Sequence, residues 1–167
     1  MKIIHRSIFL VLSLTVLHGQ PTVVTVSSAN ANGTYSKGDG PIDIIVTLSE
    51  TVVVVSGTPK LTLETGLGTP YPADAVAVYT GGTGTNVLIF RYTIQTGDYS
   101  ADLEYTSTSA LILNGASIND SNGDPVGSFI LPNLASANSL AGTGIGSGKD
   151  FVIKTITATA DINLPIG

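Results

Sequence analysis

Two groups of oxygen-bearing side chains carry the chemistry open to this 167-residue chain. Asp98, Asp102 and Glu104 lie beside a Thr96-Gly97-Asp98 corner, and Asp120, Asn122 and Asp124 lie in a polar turn. Such clusters suit calcium, which takes roughly six to eight oxygen ligands. The second group departs from an EF-hand loop, because Pro125 stands where that loop needs glycine and no glutamate follows at the last ligand position. Carboxylates and amides in turns cap neighbouring backbone N–H groups. Capping is the expected role and calcium the alternative. No residue is assigned as a metal ligand, a catalytic group or a cofactor contact.

Asp102 and Glu104 sit two positions apart in an alternating run, which places both on the outward face of one strand, about 7 Å apart. That separation overlaps the carboxylate pair of an inverting glycosidase. Two acids on a strand are more usually its solvated face, and nothing around them points to a raised pKa, so no enzymatic activity is expected. Tyr35, Tyr71, Tyr79, Tyr92, Tyr99 and Tyr105 offer aromatic faces of the kind that stack on sugars. With no tryptophan in the chain, and with Tyr92 and Tyr105 read as inward, packing is their expected role.

The amino-terminal segment narrows the chemistry further. Lys2, His5 and Arg6 precede an apolar run, Ile8 to Leu17, that is too short to span a bilayer as a helix, and His18-Gly19-Gln20 offers a cleavage region. Residues 1–19 are read as a secretory signal peptide, which makes the expected location secreted or cell-surface. Both histidines leave with it. The remaining chain has no His, Cys or Trp, so it cannot build a Ser-His-Asp site, a Cys-His site, a histidine-bound zinc or a lipoprotein anchor. Five basic residues are left against twelve acids, and that balance argues against nucleic acid as a partner. An exported chain without disulfides relies on its core alone. A domain of this size can do so.

The elements that must position these residues are strands. Leu88, Phe90, Tyr92 and Ile94 alternate with Ile89, Arg91, Thr93 and Gln95, and after the corner Ala101, Leu103 and Tyr105 are read as inward, with Asp102, Glu104 and Thr106 outward. Thr22 to Ser28, Ile42 to Leu48, Lys60 to Glu64, Asp74 to Tyr79, Ala116 to Asn119, Val126 to Leu131 and Asp150 to Thr155 read as further strands. Ser49-Glu50 is expected to close the second of these before the apolar run Val52 to Val55. Thr80 to Asn86, TGGTGTN, lacks the lysine and helix of a phosphate loop and reads as a hairpin turn. Pro132 to Lys149 is a long small-residue loop, with Leu134, Leu140 and Ile145 as the residues that pin it down. Spacings of about 8 to 12 residues between strands predict an all-β antiparallel sandwich or barrel.

The runs TYSKGDGPIDIIVTLSETV, SGTPKLTLETG, FRYTIQTGDYSADLEYTSTSALILNGASINDSNGDPV and LPNLASANSLAG resemble the bacterial immunoglobulin-like, or cadherin-like, repeat of very large secreted and surface-attached proteins. The resemblance spans about Pro21 to Thr155. It implies an Ig-like β-sandwich over residues 20–155 that serves adhesion or acts as a structural spacer, without catalysis. Its implied partners are an extracellular protein or glycan and neighbouring repeats. Tyr99 would resemble the tyrosine that ties down a corner in such sandwiches. Residues 156–167, ITATADINLPIG, resemble a linker and the first strand of a following repeat. A carbohydrate-binding β-sandwich module is the alternative function.

Overall fold

Apolar side chains at every second position make the strands, and the side they share makes the core. A computed structural model describes residues 19–66, 73–142 and 148–155. Its ten strands are β1 (Val23–Ser28), β2 (Gly33–Tyr35), β3 (Ile42–Ser56), β4 (Lys60–Leu63), β5 (Ala75–Gly81), β6 (Thr85–Tyr92), β7 (Tyr99–Ser100), β8 (Leu111–Ile112), β9 (Ser117–Asn119) and β10 (Phe151–Lys154). The described residues contain no helix, and hence none long and apolar enough to cross a membrane.

The larger sheet runs β1-β3-β6-β5-β4-β8 and curls into a half-barrel, with β9 paired to the far half of β3. The smaller sheet runs β2-β10-β7. Neighbouring strands are antiparallel except β2 and β10, which run parallel. Both sheets feed one core: Ile42, Ile44, Val46, Leu61, Leu63, Leu88, Phe90 and Tyr92 from the large sheet pack in the same cluster as Phe151 and Ile153 from the small one. Gly82 and Gly84 turn β5 into β6 with positive φ, and Thr85 N–H donates to the Gly82 carbonyl, so the glycine-rich run is the expected hairpin.

Four expectations are corrected. Ser49-Glu50 does not close a strand. β3 runs on to Ser56, because its apolar side keeps the same phase from Ile42 through Leu48 to Val52, while an irregularity between Thr47 and Val52 lets the second half leave β1 and pair with β9. Residues 101–106 are not a second alternating strand. Tyr99 and Ser100 pair with β10, the chain bends at Ala101 and Asp102, and Tyr105 then bridges Leu63 of β4. The segment thus crosses from one sheet to the other, which exposes Ala101 and buries Leu103, Glu104 and Tyr105 in succession. Val126 to Leu131 joins no ladder, although Val126, Phe129 and Leu131 are buried. Leu140 is buried as expected, whereas Leu134 is 46% exposed and pins nothing; Ile145 lies outside the described residues.

Candidate functional site

Three of the acidic residues singled out by the sequence, Glu104, Asp98 and Asp120, turn inward, onto backbone. Glu104 is only 5% exposed. Its Oε1 accepts from the N–H groups of Leu140 at 3.1 Å and Tyr105 at 3.2 Å, and its Oε2 from those of Ala141 at 3.2 Å and Ala135 at 3.5 Å. The Glu104 carbonyl accepts from Glu64 N–H at 2.8 Å. A loop of small residues has many N–H groups and few side chains with which to satisfy them, and one carboxyl group with two acceptor oxygens gathers several at once. Glu104 therefore organises the Ala135–Ala141 loop and does not share an outward face with Asp102, as the strand pattern had implied.

Asp98 does the same work at the corner. Its buried Oδ2 accepts from the Tyr92 hydroxyl at 2.7 Å and from Gln95 N–H at 2.8 Å. Its carbonyl accepts from the Thr155 hydroxyl at 2.7 Å, and Thr155 Oγ1 in turn accepts from Gly97 N–H at 2.8 Å. Burial first, and then the Asp98 carboxylate, push the Tyr92 phenol far above its ordinary pKa, so it stays a donor. The tyrosine that ties down this corner is Tyr92, not Tyr99. Tyr105 ties a second point, donating to the Pro132 carbonyl at 2.5 Å; burial first and Glu104 second raise its pKa.

In the polar turn, Asp120 Oδ1 accepts from Asn122 N–H at 2.8 Å and Asp124 N–H at 2.9 Å. Those bonds, chiefly the one from Asp124, hold its carboxyl below the usual range. This is the capping geometry expected of the turn. Asp120 Oδ2 is buried without a partner, and so is the Tyr79 hydroxyl. Among the described residues no three His, Cys, Asp or Glu side chains gather as a metal site.

The sugar-stacking candidates are spread apart. Tyr35 stands edge-on to Phe151 and donates to the Ala31 carbonyl, while Tyr79 packs edge-on to Phe90. Tyr71 lies outside the described residues. Tyr99 lines a surface cavity of about 320 Å³, together with Glu64, Gly66, Ser100, Ala101 and Asp102. There the expectation of an ordinary Asp102 fails. Partial burial, then Asp150, then Glu104 raise its carboxyl above the usual range. Asp150 is distant in sequence and reaches this place only because β10 pairs with β7, a juxtaposition no local pattern announces.

The fold and these groups define a class: an all-β module whose buried acids and tyrosines fasten loops to sheets. No family model, curated protein or solved structure matches the chain.

Proposed function

We propose that this chain is a non-catalytic, secreted or cell-surface Ig-like module that serves adhesion or spaces other modules apart, exported through its amino-terminal segment. The observation that carries this reading is the use made of its polar groups. Glu104, Asp98, Asp120, Tyr92 and Tyr105 all bind the protein's own backbone or each other, which stiffens a module without leaving reactive groups free. The shared core of the two sheets fits a sandwich of this kind. The test is made on intact producing cells. The exported protein should begin at Gln20 by mass spectrometry, be reached by an external protease, and mediate attachment that a deletion strain lacks. A chain retained inside with its first residues intact would refute the proposal.

A second reading, carbohydrate binding, is favoured by the cavity beside Tyr99, where an aromatic ring stands with Glu64 and Asp102. Saccharide binding on a glycan array or on insoluble polysaccharide, lost in Tyr99→Ala, would place the protein in that class.

A further inference from the structure

The large sheet ends at β8, and what lies beyond that edge is a gap between two stretches of chain. Thr62 N–H donates to the Ala110 carbonyl, and the β4–β8 register pairs Leu61 with Leu111 and Lys60 with Ile112. Alternate residues of an antiparallel strand bond to opposite sides. Ala110 and Ile112 therefore face β4, and Leu111 turns its N–H and C=O to the open edge, where the sheet order stops. Across the gap runs Gly127 to Ile130, held at its two ends by Val126 N–H on the Ile118 carbonyl and Leu131 N–H on the Thr108 carbonyl. Between those anchors the backbone of Gly127, Ser128, Phe129 and Ile130 makes no hydrogen bond among the described residues. The gap has a volume of about 290 Å³, and apolar side chains stand on both sides of it, Leu111 and Ile112 on one and Phe129 and Ile130 on the other. Ile112 is 48% exposed and Ile130 64%.

The outward N–H and C=O of Leu111 on one side, the unbonded backbone of Gly127–Ile130 on the other and apolar side chains between them are what an inserted strand satisfies, since a strand offers donors and acceptors to both sides and one apolar face. The chain itself carries a segment of that pattern. In residues 156–164 the apolar Ile156, Ala158, Ala160, Ile162 and Leu164 alternate with Thr157, Thr159, Asp161 and Asn163. The phase of this run is informative. β10 buries Phe151 and Ile153, at odd positions, whereas the apolar set of 156–164 is even. A straight continuation of β10 would turn that set away from the core, so the segment calls for a different apolar surface.

We propose that the gap between β8 and Gly127–Ile130 is a strand-receiving groove, and that its occupant is the 156–164 segment, from the same chain or a neighbouring copy. The segment lays its even residues against Leu111 and Phe129, faces its odd ones outward beside the exposed Ser128, and bonds to both flanking backbones. In a tandem protein the same contact would join one module to the next.

The chain contains no cysteine, so introduced pairs report cleanly. In the full-length protein, Ser128→Cys is combined in turn with Thr157→Cys, Thr159→Cys and Asp161→Cys, and mild oxidation is followed on non-reducing gels. Val24→Cys, exposed at the opposite edge of the same sheet, replaces Ser128→Cys in the control. One register of the groove series should form a disulfide about tenfold or more faster than its control. A monomeric product identifies the chain's own segment and a dimer or ladder that of a neighbour, and both support the proposal. A synthetic 156–164 peptide should slow the reaction while a scrambled one does not, and Ile112→Asp should abolish the advantage over the control. Cross-linking no faster than with Val24→Cys, or unmoved by both the peptide and Ile112→Asp, overturns it.

Discussion

At the scale of single residues, the molecule turns carboxylates into backbone anchors, and the clearest case is Glu104. Each of its oxygens faces two N–H donors, so an amide in its place would point its own N–H₂ at two of them. Glu104→Gln should therefore cost about 2–3 kcal/mol in urea unfolding, with faster amide exchange at Leu140 and Ala141 as its local signature. Asp102 should respond in the opposite sense. Its folded pKa is raised, so folding disfavours the ionised form, and this penalty is present at neutral pH and relieved as pH falls through the raised value toward the ordinary one. Asp102→Asn should melt slightly higher than the parent at pH 7, with the difference gone below about pH 4. Asp120 and Asp43 carry the ordinary acid dependence, since Asp124 N–H and Arg91 respectively lower their pKa values and their contributions are lost as pH falls through them. Asp120 Oδ1 is already engaged by backbone, so calcium in place of chelator should move the melting temperature little. A large rise that vanishes in Asp120→Asn would instead assign an ion to the turn.

At the scale of elements, the β5–β6 hairpin depends on two glycines for different reasons. A Cβ on Gly82 would stand 2.1 Å from the Val87 carbonyl oxygen, at a φ of +103°, whereas one on Gly84 would meet nothing within 4 Å at +78°. Gly82→Ala should therefore destabilise clearly more than Gly84→Ala, whose cost is dihedral strain alone, about 1 kcal/mol. Matched thermal melts of the two variants decide this. This hairpin was legible in the sequence because its signals are local: alternation on both sides and glycines between. β1, β4, β5, β6 and the first half of β3 were legible for the same reason. The crossing at residues 101–106 was not. Its period-2 pattern is real, but the bend at Ala101–Asp102 and the N–H-rich loop that captures Glu104 come from distant chain. Val126 to Leu131 misled in the reverse way, since an extended apolar segment needs a partner edge to become a strand, and alternation says nothing about whether one is free.

At the scale of the whole molecule, the question is whether two sheets make one folding unit. The smaller sheet has three short strands and no core of its own, because Phe151 and Ile153 project into the cluster that Leu61, Leu63, Phe90 and Tyr105 also fill. Covalent connection reinforces this, since the 101–106 crossing bonds Leu103 N–H to the Phe151 carbonyl and then bridges Tyr105 to Leu63. The chain has no disulfide, so the shared core and hydrogen bonds such as Tyr99 N–H to the Thr65 carbonyl hold the sheets together. Phe151→Ala should then cost about 3–5 kcal/mol and lower the stability of the entire domain, not of the small sheet alone. Tyr35 lies edge-on to Phe151 at the small sheet and Tyr79 edge-on to Phe90 at the large one, so each reports on its own side. The fluorescence change that Tyr35→Phe removes and the one that Tyr79→Phe removes, each taken as the difference from its background, should give coincident unfolding midpoints in both the parent and the Phe151→Ala background. A small-sheet signal lost at lower denaturant than the large-sheet signal would mean that β2-β10-β7 detaches first and that the module has two stability units.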